Sequence, residues 1–506
     1  MADVRIMDGF LLHIIHQSSI STSISTYDKY AFINSLTPNV FDHSIHRMIP
    51  ESRALAVAKL TRELRARGPT LSRDLRSRLA MSPATLARTI ASMRAEILAT
   101  GATSSLTYAI RRVIPGLPSE IPIYEIGPEA VRLFATLHPI EPGGFFVRSS
   151  LAVHGFYTDL PWFLFDLRPA GFLGRLAPRQ HPELGLPNDI QNWSADQALR
   201  WLHEWGVDTV GSLVVGEPSF RRLQQYASPE VRLEVRSERY PRLADDVMGL
   251  GVPGSSAAGE QPKFLATRVG GDERLRVLVK FSPRIVDRST RRTADLLRCE
   301  HHALTTLRRA GVPSAGSEIV EAEGRVFLEV GRFDRQGEGR LGLVSLLAVG
   351  AREGADIHDW TASADDLVTA GVISNADREG IYWLDRFGAL IGNTDRHAGN
   401  LSFFFPDGQV GPVAPVYDML PMAYAIRSGE FSTPTLNPPV PTPRFASSWR
   451  QVWAAATEFW MVVANDAAID EELRRAASAN GAILVAQRGL LERLPADQQL
   501  PAFRPG

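Results

Sequence analysis

The chain has one cysteine in 506 residues, no unbroken apolar run near the length of a membrane span, and almost no net charge, with 55 Lys+Arg against 56 Asp+Glu. A single cysteine closes no internal disulfide and builds no Cys-rich zinc site, so a cytoplasmic chain is expected. A bilayer-crossing helix needs about 20 consecutive apolar residues. The longest early run, GFLLHIIH, is short and carries two histidines, and no cleavable-signal layout precedes it, so no membrane association is expected. The sequence also lacks a GxSxG elbow, an HExxH helix and paired CxxC motifs, which removes three common enzyme chemistries.

With 44% hydrophobic residues the chain has ample material for packed cores. Its length exceeds one core, since domains usually run about 100 to 200 residues, so two to four units are expected. Residues 1–50 show no sustained period; they are expected to be poorly ordered, or to lie upstream of a natural start at Met48.

From Arg53 a helical stripe is predicted through Leu55, Ala58, Lys59, Leu60 and Leu64, stopped by Gly68-Pro69. A second short helix fits TLSRDLRSRLA. Ser82 before Pro83 reads as an N-cap with proline at the first helical position, opening a third helix that runs on through Leu86, Ile90, Met93 and Ile97. This helix is expected to present Thr85, Arg88, Thr89, Ser92 and Arg94 outward, and SSLTYAIRRVI to form the strand pair of a wing. Glu51 to Arg112 carries 12 Lys/Arg against 4 Asp/Glu, a local charge of +8. Residues 51–115 are therefore expected to form a helix-turn-helix, all-α or winged, that binds double-stranded DNA through Thr85, Arg88, Thr89 and Arg94. A solvated, arginine-rich three-helix bundle would show the same pattern. Residues 116 to 239 read as a mixed α/β connector in which His154, Asp166 and His203 stand singly.

Polar signals then appear in the order that a nucleotide-dependent phosphotransferase needs. In LGVPGSSAAGEQPKF the small residues Gly254, Ser255, Ser256, Ala257, Ala258 and Gly259 leave backbone N–H groups open to phosphate oxygens, with Lys263 at the loop's end. Glu260-Gln261 stand where a Walker A loop has Lys-Ser/Thr, which excludes a P-loop NTPase. Lys280 ends the strand RLRVLVKF, in the position of a lysine that holds the α and β phosphates, and Glu300 on the next amphipathic helix is placed to pair with it. Asp395 and Asn400 are five positions apart in IGNTDRHAGN, the kinase interval between the base that takes the acceptor's proton and a magnesium ligand. Asp418 in VAPVYDML, 18 positions beyond Asn400, supplies a second metal oxygen. Magnesium prefers oxygen ligands and keeps waters, so one carboxylate, one amide and the phosphates of ATP suffice. Caps in a plain turn would also explain Asp395 and Asn400 taken alone.

The motifs SSAAGEQPK, VLVKF, EVGRFDR, IGNTDRHAGN and VYDM resemble those of HipA-type kinases, the toxin halves of bacterial toxin–antitoxin pairs, over about residues 122–493. The preceding helix-turn-helix makes the YjjJ-like subgroup the nearest in kind. The resemblance implies an α+β, protein-kinase-like two-lobed fold, with an N-terminal region and N-lobe over 116–330 and a helical C-lobe over 331–500. It implies a serine/threonine protein kinase using ATP and Mg2+: Lys280 on the phosphates, Asp395 as catalytic base, Asn400 and Asp418 on the metal. It also implies that Ser256 is autophosphorylated, a modification that silences the enzyme by repulsion from the nucleotide, and that Val330 and Gly331 face adenine through their backbone. Gly331 stands where better-known members carry an acidic residue, and Arg396 where glycine is frequent. A protein substrate, an antitoxin and, from the helix-turn-helix, a homodimer are the partners so implied. Two readings from other classes remain at this stage: a nucleotide-sensing transcriptional regulator on an inactive kinase fold, and a small-molecule kinase with the same Asp-to-Asn spacing.

Overall fold

A computed structural model describes residues 51–250, 261–426, 431, 433–443 and 446–495. The chain divides into two units, Met1–Ala58 and Lys59–Gly506. The described part of the first is the opening of helix α1 (Glu51–Arg67). The expectation for residues 1–50 lies outside the described residues, as does the loop 251–260 with Gly254, Ser255, Ser256, Ala257, Ala258 and Gly259.

The N-terminal part has β1 (Thr70–Leu71), α2 (Ser72–Leu79), α3 (Pro83–Ser92), β2 (Ile97–Thr100) and β3 (Thr107–Ile110). The strands form a sheet in the order β1-β3-β2, all antiparallel, so the arrangement is winged rather than all-α. Ser82 caps α3 by accepting from Thr85 N at 3.1 Å, with Pro83 at the first turn, as the sequence predicts. The expectation that α3 continues to Ile97 is corrected: it stops at Ser92, and Ile97–Thr100 becomes one wing strand paired with Thr107–Ile110. The apolar spacing suits a helix equally well, but pairing buries Leu98 against Ala109, Ile140 and Phe146, and that tertiary contact decides. Gly101, at φ +83°, makes the turn between them; a Cβ there would sit 2.4 Å from Ser105 O. In α1, Leu60 and Leu64 are buried, while Leu55, Ala58 and Lys59, assigned to the same stripe, are exposed.

Two five-stranded sheets follow. The first comprises β4 (Ile121–Ile126), β5 (Val131–Pro139), β6 (Phe145–Arg148), β7 (Gly155–Tyr157) and β8 (Leu213–Val215), in the order β7-β6-β5-β4-β8. The second comprises β9 (Glu230–Arg232), β10 (Lys263–Gly270), β11 (Glu273–Phe281), β12 (Ser317–Ala322) and β13 (Arg325–Gly331), in the order β12-β13-β11-β10-β9. Alternation along β11 covers both faces of the second sheet. Val277, Val279 and Phe281 pack with Tyr240, Phe264 and Phe327 on one side. On the other, helix α4 (Arg288–Arg309) lays Ala294 and Leu297 against Val326, Leu328 and Val330. Lys280 lies opposite Leu328 in the β11–β13 register and so points toward α4.

Beyond β13 come two short strands, β14 (Arg335–Gln336) and β15 (Gly339–Arg340), then β16 (Leu343–Ser345), helix α5 (Leu346–Glu353), helix α6 (Asn375–Leu390), β17 (Ser402–Phe404), which pairs with β16, and the long helices α7 (Ala446–Asn465) and α8 (Glu471–Ala486). The first sheet shares its core with these helices rather than with the second sheet. Phe405 is the joint: its ring lies 6.2 Å from Phe134, 6.2 Å from Phe163 and 5.3 Å from Trp162. No helix among the described residues is long and apolar enough to cross a membrane.

Phe405→Ala is expected to destabilise the chain by about 3–5 kcal/mol, the usual cost of emptying a buried aromatic site. Chemical denaturation of the purified protein checks this, and a midpoint unchanged from wild type would show that the sheet–helix joint is not needed.

Candidate active site

Lys280 reaches the site from the end of β11 and Glu300 from the middle of α4. The ammonium donates to both carboxylate oxygens, at 2.7 and 2.8 Å, and also contacts Asp418 Oδ1. Lys280 is 5% exposed and Glu300 1%. Burial works against the lysine's charge, yet Asp418 and Glu300 together more than offset it and hold the ammonium protonated, with its pKa raised. Burial works against the Asp418 carboxylate too, but Lys280 and Lys263 outweigh it and hold its pKa down to about 2. Burial raises the pKa of Glu300, opposed by Lys280. Lys263 opens β10 directly opposite Lys280 in the β10–β11 register, which brings a second cation to the same end of the sheet. The two residues before it are tied down, since Phe281 N donates to Pro262 O at 3.0 Å and Gln261 Nε2 donates to Phe281 O.

The Asp395–Asn400 segment follows α6. Buried Asn393 turns the chain by accepting from Asp395 N at 2.9 Å, and Asp395 is exposed. Asn400 Nδ2 donates to Asp395 O at 3.0 Å, a bond that uses the amide nitrogen and not its Oδ1. Arg396, where glycine is frequent in the resembling family, runs back over α6. Its Nε donates to Asp385 Oδ1 at 2.8 Å and its NH1 to Asn393 O. Gly388 makes room, because a Cβ there would meet Arg396 Cδ at 2.5 Å.

A tyrosine that the sequence reading left without a role connects this loop to Asp418. Tyr417 OH donates to Gly399 O at 2.9 Å and accepts from Ser402 Oγ at 2.7 Å. The next residue, Asp418, is at φ +52°, a left-handed conformation that a non-glycine residue adopts at some cost, and it turns its carboxylate toward Lys280. The only advance signal was the position of Tyr417 within VYDM.

Asp418 and the Asn400 amide oxygen suit magnesium, which takes few protein oxygens and completes its shell with phosphate and water. Among the described residues no group of three or more His, Cys, Asp and Glu side chains is arranged to hold a metal by itself. One carboxylate and one amide oxygen are thus the protein donors that such a cation would meet.

Three expectations change. Val330 is inside the sheet between Leu278 and Ser317, and Gly331 N donates to Gly316 O at 2.7 Å, so backbone groups expected to face adenine serve the sheet. Thr89 is not presented outward: it is 3% exposed and bonds Thr85 O at 2.9 Å, a helix back-bond. Arg88 and Arg94 are exposed and Thr85 is half-buried. The local charge of +8 is also partly used internally, since Arg111 pairs with Glu120, Arg112 with Asp196, and Arg67 with Glu63. The histidines that stand singly are structural: His154 bonds Thr100 Oγ1 at 2.7 Å, and buried His203 lies 3.0 Å from Glu204 Oε1.

A family described as YjjJ-like toxin, middle domain, matches residues 117–224, and HipA-like C-terminal domain matches residues 255–480. Toxin YjjJ of Escherichia coli (strain K12) is 33% identical over 422 residues, covering 82% of this chain and 95% of that protein. Among solved structures, a chain of the HipA, HipB and operator DNA complex from Shewanella oneidensis MR-1 has 17% identity and a TM-score of 0.47, over 74% of this chain and 97% of that one. The Helicobacter pylori proinflammatory kinase CtkA has 14% identity and a TM-score of 0.32, over 43% and 91%.

Lys280→Met leaves two carboxylates without their shared cation. It is expected to cost about 3 kcal/mol of stability by denaturant titration, the usual effect of removing one member of a buried ionic group. A variant as stable as wild type would mean that the triad is solvent-screened.

Proposed function

The chain belongs to the YjjJ-like toxin family of HipA type, and from that membership and the geometry of the site we propose that it is a serine/threonine protein kinase toxin with its own DNA-binding segment. The observation that carries this reading is the convergence of strand lysine, helix glutamate and Asp418 on one buried point, with the Asp395–Asn400 loop tied to it through Tyr417. A small-molecule kinase would share this centre. The family membership favours a protein hydroxyl as acceptor.

In the proposed reaction Lys280, kept charged and aimed by Glu300, binds the α and β phosphates of ATP, and Lys263 adds positive charge beside them. Asn400 and Asp418 hold magnesium, which when bound neutralises phosphate charge. Asp395, which is exposed, accepts the proton of the serine or threonine hydroxyl as its oxygen bonds to the γ phosphorus and the bond to ADP breaks. Catalysis is then positioning and charge neutralisation, with no covalent enzyme intermediate. Ser256 is proposed as a self-phosphorylation site on the resemblance alone. The wing and α3 are proposed to bind duplex DNA through Arg88 and Arg94, placing in one chain a role that the wider family gives to a separate antitoxin.

Asp395→Ala is expected to lower phosphate transfer at least a hundredfold, within the range for loss of a general base, measured as radiolabelled phosphate incorporated into the purified chain and into host proteins. Equal labelling by the variant would end the enzyme reading for this site. Incorporation into metabolites with every protein phosphosite unchanged would favour the small-molecule alternative. Replacing Arg88 and Arg94 together with alanine is expected to weaken duplex binding and lower the log–log salt slope by about two. An unchanged slope would leave the segment as a structural bundle.

A further inference from the structure

Asp166 lies in the short helical segment Trp162–Leu167, far from the kinase motifs in sequence and inside the part matched by the middle-domain family. Its carboxylate grips one residue twice: Ser345 N donates to Oδ2 and Ser345 Oγ donates to Oδ1, both at 2.6 Å. Ser345 Oγ also accepts from Ala348 N at 3.1 Å and so caps α5. Among the described residues Asp166 makes no ion pair, and burial raises its pKa. A serine cap is normally complete without a carboxylate behind it, so this acid adds short, directional bonds at a desolvation cost.

Ser345 is the meeting point of that grip with the catalytic loop. It pairs with Ser402 in the β16–β17 register, and Leu346 N donates to Leu401 O at 2.8 Å, directly after Asn400. Ser402 Oγ in turn donates to Tyr417 OH, which donates to Gly399 O. The two oxygen donors, Asn400 and Asp418, are each one residue from this hydrogen-bonded chain. We propose that Asp166 is a positioning residue, which sets the spacing of Asn400 and Asp418 through Ser345 and Ser402, and that the middle domain thereby tunes divalent-cation binding in the kinase centre. This rests on the assignment of those two residues as cation ligands in the proposed function.

The test is Mn2+ binding by the full chain with a non-hydrolysable ATP analogue, read by electron paramagnetic resonance, alongside analogue binding without metal. Asp166→Ala is expected to weaken Mn2+ about tenfold, as loss of an outer-shell partner does, and to leave metal-free analogue binding, which depends on Lys280, unchanged. Asp166→Asn, whose amide oxygen still accepts from Ser345 N while its NH2 donates to Ser345 Oγ, is expected to restore most of the affinity. Ser345→Ala, which keeps the backbone half of the grip, should fall between and covers the case of an unfolded alanine variant. Unaltered Mn2+ affinity in Asp166→Ala overturns the proposal. Equal loss of metal and metal-free nucleotide binding, or a wild type that binds no Mn2+, also overturns it. A wild type that binds Mn2+ through Asp418 yet transfers no phosphate would sink the kinase reading and leave the positioning role standing.

Discussion

One buried ammonium organises the chemistry of this chain. Lys280 sits between Glu300, on the helix that covers the second sheet, and Asp418, on the segment that returns past the Asp395–Asn400 loop. Without it two carboxylates would share a poorly solvated space, and the segments carrying them would repel. With it, strand, helix and loop are held to one point, and the left-handed backbone at Asp418 is a conformation that this contact can sustain. The same arrangement keeps the lysine charged, since burial alone would favour its neutral form and the two acids outweigh it.

Around that point the molecule uses buried polar groups as joints between layers. Asp208 and Asp334 are bound by Arg332 and Arg335, with Arg332 NH1 2.6 Å from Asp208 and Arg335 NH1 2.6 Å from Asp334. Gly211 N donates to Asp334 at 3.0 Å, so the RFDR segment that follows β13 is fastened to the loop before β8. Asp166 does the same further along, at the start of α5. Phe405 and its aromatic neighbours fill the space between these joints. The first sheet is thus a buttress for the helical part, tied to it at both of its ends.

What was legible in the sequence was local. The Ser82-Pro83 cap depends on neighbouring residues and stands as expected, Lys280 meets Glu300 one element further on, and Asp395 and Asn400 share one short loop. Residues that act across layers were not legible: Asp166 is one acid in an apolar run, and its partner is 179 positions away. Ile97 fitted a helical period and became a strand because Ile110, beyond a glycine turn, offered a partner. Thr89 looked outward on spacing alone, whereas its hydroxyl satisfies a backbone carbonyl of its own helix. The resemblance assigned adenine contacts to Val330 and Gly331, where pairing within the sheet uses the backbone.

These joints bear on how one chain could couple the two proposed activities. The wing leads into Arg111 and Arg112, which are fastened to Glu120 and Asp196. Asp196 lies in the first turn of the helix Ala195–Trp205, which packs on the first sheet through Leu199 and Leu202, and that sheet carries its core through to Phe405, next to β17. A continuous set of packed elements therefore runs from the proposed DNA-binding segment to the strand that follows Asn400. Packed interiors respond to strain by shifting between discrete arrangements rather than by flowing, so a load on the wing has a packed route, through described residues, to the oxygens proposed to bind metal. Coupling along that route requires the first sheet to be rigid, which is the role that its aromatic joint and its two carboxylate grips suit it for.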